Sequence, residues 1–169
     1  SGGGFITFNQ NYGDISQNII GGGSNITIQN MDVNNSITSN VVNSNSEIVV
    51  DTLSGSSYIS ENNISASSYI HVDTGVTLTN SYIKQNTISA SSYIRVQVNA
   101  SGNNIWGNVI NSFSYITTTG AHTGNVRGNY INLSSYITIG SSTGGSDLSG
   151  NEVYDYSYIQ IGSSTTQID

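Results

Sequence analysis

Apolar and polar positions along the chain form a pattern that returns about every 22 residues. The motif apolar-x-x-Asn-x-apolar occurs seven times, and its asparagines stand 21 to 24 residues apart. Self-similarity at such a period indicates a solenoid, in which each repeat buries its apolar face against the next one. We number the coils by these anchor asparagines, which are Asn18, Asn40, Asn62, Asn86, Asn108, Asn129 and Asn151.

Two further columns keep register with the anchor. Every coil has an isoleucine eight residues after it, and ten residues after it all coils but the fifth, with Thr118, have Ile or Val. Side chains two residues apart share one face of a strand, so we expect both columns inside the solenoid and the residues between them outside. The isoleucine column consists of Ile26, Ile48, Ile70, Ile94, Ile116, Ile137 and Ile159.

These columns predict an all-β protein, a single right-handed parallel β-helix of seven coils with about 22 residues per coil. Parallel strands joined by crossovers wind right-handed, and the lack of Pro suits strands that pair on both sides. We expect one domain over residues 1–169, with a partial N-terminal coil at 1–14, seven repeats at 15–161 and a C-terminal tail at 162–169.

The anchor column and a serine column six residues after it are predicted to be structural ladders. Asparagine tolerates the left-handed backbone of a sharp corner, so we expect the anchors to turn the chain there. Stacked Asn amides can also hydrogen-bond from coil to coil. Small serine side chains suit a second tight corner.

Composition excludes several classes of function. The net charge is −7 with only three Lys and Arg, so we expect no nucleic-acid binding through phosphates. No apolar stretch has transmembrane length, so membrane insertion is not expected either. Without Cys, and with its two His in different coils, the chain predicts no metal site and no cofactor. It starts at Ser1, which suggests a processed or excised piece.

The run I-x-x-N-x-I, followed by a strand of the type S-Y-I-x-V, resembles the parallel β-helix repeat of the pectate-lyase-like superfamily from about Phe5 to Ile161. That superfamily includes polysaccharide lyases, hydrolases, epimerases, phage tailspikes and adhesins. The resemblance implies that the outer face of the S-Y-I-x-V sheet is where a polysaccharide would bind. Unlike the enzymes, this chain has short flanking turns and one acid, Glu47, in the outward columns, so a non-catalytic member is expected.

A tyrosine column is the main candidate binding surface. Outward rings one strand spacing apart would form an aromatic strip, and exposed aromatic patches mark contacts with proteins or with sugars. The simpler interpretation is that Tyr favours strands and stacks on itself. The column lies seven residues after the anchor in coils three to seven and consists of Tyr69, Tyr93, Tyr115, Tyr136 and Tyr158.

Titratable side chains converge on the outer face of coils two to four. His71 and Arg95 are expected to be neighbours beside Tyr69 and Tyr93, with Glu47 and Asp73 close by. Such a group could in principle remove a proton alpha to a uronate carboxylate, with Arg neutralising the acid. The alternative, which we prefer, is that sparse charged residues simply fall on the outside, and that the chain is not an enzyme.

We therefore expect a non-enzymatic structural or adhesive module of a surface fibre, filament or phage-tail-like appendage, located extracellularly or at a cell or virion surface. Its partners would be further copies or neighbouring subunits, met through the tyrosine column or through coil ends without visible caps. The alternative is a polysaccharide-binding or polysaccharide-modifying domain that uses the tyrosine column. An aromatic pair in front of the anchors, Tyr58 and Tyr82, is expected to shield a corner.

Overall fold

The computed structural model describes residues 3–9, 13–31, 34–53, 55–73, 78–79, 81–97, 100–101, 104–122, 124–142, 147–162 and 164–166. These residues form an all-β, right-handed parallel solenoid without helix, which confirms the predicted fold class. Equivalent strands of successive coils pair in parallel about 22 residues apart. Stacking of each coil on the next is therefore the basis of the fold.

The main sheet carries the S-Y-I-x-V strands. Its parallel strands pair in the register of the repeat, for example Tyr69 with Tyr93 and Ile70 with Ile94. Short strands at Leu78–Thr79 and Ala100–Ser101 extend one side of it. In chain order its principal strands are Phe5–Phe8, Asn25–Ile28, Glu47–Val50, Tyr69–Val72, Tyr93–Val96, Tyr115–His122, Tyr136–Ser142 and Tyr158–Ile161.

Two narrower sheets complete each coil on either side of the anchor. The second sheet precedes it and contains Ile15–Ser16, Ile37–Thr38, Tyr58–Ser60, Tyr82–Lys84, Asn104–Trp106 and Val126–Arg127. The third sheet follows it and contains Ile19–Ile20, Val41–Val42, Asn63–Ile64, Thr87–Ile88, Val109–Ile110, Tyr130–Ile131 and Glu152–Val153.

The core is one continuous column of aliphatic side chains between the three sheets. The isoleucines eight residues after the anchor are all buried, from Ile26 to Ile159, as predicted. Burial alternates along each main-sheet strand, so the residues between the core positions lie outside. Thr118 takes the place of a core aliphatic residue, and its Oγ1 is buried without a hydrogen-bond partner among the described residues.

The asparagine ladder forms as predicted, but not through a left-handed anchor. From Asn40 onward, the Oδ1 of each anchor accepts from the backbone N–H and from the Nδ2 of the preceding anchor, as between Asn62 and Asn86 at 3.0 Å each. The Nδ2 of Asn86 also donates to the carbonyl of Ile59. Positive φ falls instead on the residue before each anchor: Gln17, Ser39, Glu61, Gln85, Gly107, Gly128 and Gly150. The expectation that the anchors themselves turn the chain is wrong. The left-handed residue comes one position earlier, and the anchor that follows it directs its amide into the solenoid, where the Asn86 amide makes four hydrogen bonds.

A serine ladder parallels it at the corner before the main sheet. Each serine Oγ accepts the backbone N–H of the serine one coil earlier, as in Ser92 to Ser114 at 3.2 Å. Between the third sheet and this ladder, every coil makes a turn with two successive left-handed residues, such as Ala90 and Ser91. We call this the corner turn; two positive φ angles in succession are the geometry of a type I′ turn.

The C-terminal tail departs from the expected open end. Ser164–Thr166 folds back antiparallel on Tyr158–Ile161, pairing Ile159 with Thr166 and Ile161 with Ser164. The last main-sheet strand thus has a partner on its outer side. At the other end Ile6 is 51% exposed and Phe8 45%, although both occupy core positions of the register.

Candidate functional site

The tyrosine strip, which we define as Tyr69, Tyr93, Tyr115, Tyr136 and Tyr158, opens five successive strands of the main sheet. Strand pairing joins each tyrosine directly to the next, and every one is half-buried. The repeat therefore places the five residues in one straight column on the outer face, as the sequence predicts.

The rings of the strip stack face to face along the solenoid axis. Successive ring centroids are 4.7, 4.8, 4.9 and 5.1 Å apart, and successive ring planes differ by only 1° to 4°. The faces of the inner rings are covered by their neighbours, so their exposed parts are edges and hydroxyls. A ligand that stacks on an aromatic face would find one only on the two end rings.

Electrostatics within the strip favours neutral phenols. Burial raises the pKa of Tyr93, and the neighbouring Tyr115 hydroxyl raises it further, whereas the Arg95 guanidinium opposes the shift. Burial likewise raises the pKa of Tyr115 against the influence of Arg95. For Tyr136, burial is again the largest cause of a raised pKa, followed by the phenols on either side.

The polar cluster predicted beside the strip comes together in the folded chain. His71 and Arg95 are register neighbours on adjacent main-sheet strands, next to the Tyr69 and Tyr93 pair. Glu47 stands below Tyr69 and accepts from the Asn25 side-chain amide. The strip is therefore flanked by a few charges at its N-terminal end.

The His71 and Arg95 side chains each contact the residue two positions further along the chain. His71 Nε2 lies 3.3 Å from Asp73 Oδ1, within ion-pair distance but without hydrogen-bond geometry. The Gln97 carbonyl, in the amide orientation that suits both groups, accepts from Arg95 Nε at 2.8 Å. These contacts hold the side chains along the sheet; a catalytic role for Tyr69, His71, Tyr93 and Arg95 stays a prediction.

The described parts of the chain hold neither a cluster of metal-ligating side chains nor a helix that could span a membrane. No group of three or more His, Asp or Glu there is placed to hold a metal ion. Within the same ranges, no helix has the length and apolar character needed to span a bilayer.

Tyr58 and Tyr82 form a separate aromatic pair on the second sheet rather than at a corner. Their ring centroids are 5.4 Å apart with an interplanar angle of 18°. Lys84 Nζ lies 5.1 Å from the Tyr58 ring centroid and 5.8 Å from that of Tyr82, in cation–π geometry. The pair thus holds the ammonium group of Lys84, one of the few cations of the chain, at a fixed position.

Sequence reasoning overlooked one surface, at the corner turns of the last three coils. Phe113, Leu133 and Tyr156 are large and exposed there, whereas the four earlier coils have small or polar residues at the same positions. The signal was present in the two aligned columns of the corner turn, which contain only Gly, Ala, Ser and Asn in the first four coils; Leu133 stands in the first of these columns, and Phe113 and Tyr156 stand in the second. We call these three residues the corner row.

Comparison of the chain with protein-family models, with curated proteins and with solved structures finds no match. What the structure shows is the architecture alone, a parallel β-solenoid with coils of about 22 residues; membership of the pectate-lyase-like superfamily stays a prediction.

Proposed function

We propose that the chain is a non-enzymatic structural or adhesive module of an extracellular fibre, filament or phage-tail-like appendage, and a non-catalytic relative of the pectate-lyase-like superfamily. Its tyrosine strip is the surface that meets a neighbouring subunit. The observation that supports this is the stacking of the strip, in which the rings form a flat and regular column.

A stacked column suits a protein neighbour better than a sugar. The inner rings present edges and hydroxyls at regular steps, and these can pack against or hydrogen-bond to another flat strand surface. Sugar binding through ring faces needs faces that are free, and those of Tyr93, Tyr115 and Tyr136 are covered on both sides. The asparagine ladder adds rigidity to the solenoid, because its buried anchor amides have their hydrogen-bond partners, as between Asn86 and Asn108.

Polysaccharide binding is the second candidate function. It is favoured by the row of phenol hydroxyls and by the neighbouring His71 and Arg95, which together could bind the hydroxyls and carboxylates of an acidic polymer. In that case the strip would act through its hydroxyl edge, and no stacking on the inner rings would be involved.

The experiment compares the wild type with the variant Tyr93→Ser with Tyr115→Ser. Serine is polar like Asn25 and Glu47, which hold the same column in the first two coils, so the variant is expected to fold. Thr117→Ser, on the same outer face, is the matched control. Light scattering is expected to show higher assemblies of the wild type and of the control, and their loss in the double variant.

Pectin, alginate and hyaluronan test the second candidate, by binding and by analysis of products. We expect neither binding nor turnover. Binding that the double variant loses, in a wild type without higher assemblies, would replace the proposal by the polysaccharide one. Turnover abolished by His71→Ala or by Arg95→Ala would show an enzyme instead.

A further inference from the structure

The corner row stands where the backbone least suits bulky residues. Both residues of each corner turn have positive φ, with 63° at Phe113, 54° at Leu133 and 61° at Tyr156. In this left-handed region a side chain with a Cβ is strained, and a bulky one is uncommon. The corresponding residues of the first four coils are Gly22 and Gly23, Ser44 and Asn45, Ala66 and Ser67, and Ala90 and Ser91.

Folding does not explain these three side chains. Tyr156 is 96% exposed, Phe113 67% and Leu133 47%, so little apolar surface is buried in return for the strain. The earlier coils form the same turn with small residues, so the turn does not need them. A locally unfavourable and exposed apolar residue in three successive coils indicates a contact made outside the monomer.

The row is continuous and rigidly held. Backbone hydrogen bonds stack the turns, from Phe113 N to Leu133 O at 3.0 Å and from Ser134 N to Asp155 O at 2.9 Å. The three side chains therefore lie on three successive coils, which are roughly 4.8 Å apart along the solenoid axis. They border an open groove of about 320 Å³, lined by Ser112, Phe113, Leu133, Ser134, Asp155 and Tyr156.

We infer that the corner row is a dimerisation surface, occupied by the corner row of a second copy in antiparallel orientation. A two-fold axis perpendicular to the solenoid axis, passing through Leu133, would set Leu133 against its own copy. Phe113 would then meet the partner's Tyr156, an aromatic pair on each side of the axis. Such a contact is isologous and closes at two copies.

Charge selects the antiparallel arrangement. With the axis through Leu133, the carboxylate of Asp155 faces the hydroxyl of the partner's Ser112. With parallel copies, Asp155 would face its own equivalent, and like charges in contact are unfavourable. The chain carries a net charge of −7, so two copies repel each other over most of their surface and the uncharged row is where they can meet.

The shape of the row also fits a second copy. The exposed Tyr156 ring is a projection at one end of the groove, and the groove itself is the matching depression. Because the row occupies only the last three coils, the antiparallel rods would overlap there and their N-terminal halves would extend in opposite directions. This inference is independent of the tyrosine strip, which lies on the main sheet.

The first test measures the dimer by sedimentation equilibrium. To remove association through the tyrosine strip, the protein measured carries Tyr93→Ser with Tyr115→Ser, and the corner-row substitutions are added to this background. We expect the strip variant to be in monomer–dimer equilibrium, with association strengthened by salt because the copies are both acidic. The variant Phe113→Ser, Leu133→Ala, Tyr156→Ser introduces residues that earlier coils have in the corner turn, so it should fold at least as well. We expect its dimer to dissociate about 100-fold more readily or more.

The control is Ile19→Asn, which removes an apolar side chain that is 83% exposed on the third sheet. The third coil has an asparagine, Asn63, at the same position of the repeat, so the third sheet accepts this residue. This control should leave the dimer unchanged. A strip variant that is monomeric at about 0.1 mM, or one that dimerises as strongly after the corner-row substitutions are added, overturns the inference.

A second test reports the geometry. The chain has no Cys, so Leu133→Cys introduces a single thiol beside the proposed axis, and Ala90→Cys places one at the equivalent turn position two coils earlier. Under mild oxidation at low concentration, we expect a disulfide-linked dimer for Leu133→Cys and little for Ala90→Cys. Equal cross-linking of the two variants would contradict an axis at Leu133.

Discussion

Asn86→Ala is expected to lower the free energy of unfolding by about 4 kcal/mol. The Asn86 side chain accepts from the N–H and the Nδ2 of Asn62 and donates to the carbonyl of Ile59. Its removal leaves the Asn62 backbone N–H, and the amide hydrogen of Asn62 that pointed to Asn86, without this acceptor inside the solenoid, where Asn62 is 1% exposed. Each unsatisfied buried group costs about 1–3 kcal/mol, and two groups at the middle of that range give the total.

Asn18→Ala is the matched control at the end of the same ladder. The Asn18 Nδ2 donates to Asn40 Oδ1 and to Ser16 O, and Asn18 is half-buried. Asn40 Oδ1 keeps the backbone N–H of residue 18 after the change, so no buried acceptor is left empty. We expect a loss below about 1 kcal/mol.

Urea unfolding distinguishes the two variants. Trp106, the single tryptophan, lies on the second-sheet strand next to Lys84 and reports on the middle of the rod. Far-ultraviolet circular dichroism reports on the whole rod, and agreement of the two signals tests whether the coils unfold together. Equal midpoints for Asn86→Ala and Asn18→Ala would refute the reasoning, because the ladder would then contribute no more in the core than at its end.

Two further predictions concern the core and the tyrosine strip. Thr118→Val should raise the free energy of unfolding by about 1 kcal/mol in the same assay, because it removes a buried hydroxyl that has no partner among the described residues and lies beside a cavity of about 20 Å³. A lower free energy of unfolding in the variant would show that the hydroxyl has a partner. Above about pH 10 stability should fall, because phenols whose pKa is raised in the folded chain lose their protons first when unfolded. Denaturation midpoints between about pH 9 and about pH 11 measure this fall. Replacing Tyr93, Tyr115 and Tyr136 by Phe should remove most of it.

The repeat predicts the fold well because its physical basis is simple. A column of isoleucines at constant spacing has one consistent place, inside a stack of parallel strands, and the alternation along each strand then assigns the outer face. The positions of the tyrosine strip, of the ladders and of the His71–Arg95 pair follow from that single register. In these columns, local sequence and global fold agree from coil to coil.

The aligned columns of the sequence do not predict how the side chains are oriented. The sequence indicates that tyrosines follow one another at each coil, but the tilt of the rings, and thus whether faces or edges are exposed, depends on packing between neighbours. The left-handed residue at the anchor corner also lies one position earlier than expected, before the anchor asparagine and not at it. The three glycines before the anchors, Gly107, Gly128 and Gly150, were the available signal, since glycine accepts positive φ without strain.

The C-terminal tail illustrates how an end differs from a repeat. Ser164–Thr166 runs antiparallel to its neighbour, so it breaks the parallel pattern from which the rest was deduced. It also bears on axial assembly, because a second copy stacked on this end would meet the tail where its own first main-sheet strand, Phe5–Phe8, should pair. Axial growth would require the tail to leave, whereas contacts through the strip or the corner row would not.

The two aromatic surfaces of the chain differ in what they contribute to the monomer. Stacked rings in the strip cover one another, so each tyrosine stabilises its own rod as well as any contact that the strip makes. Phe113 and Tyr156 in the corner row have strained backbones and exposed side chains, so the monomer gains little from either of them. Replacement of the strip should therefore lower both stability and association, whereas replacement of the corner row should lower association alone. That difference separates a surface that is partly structural from one whose only evident use is a partner.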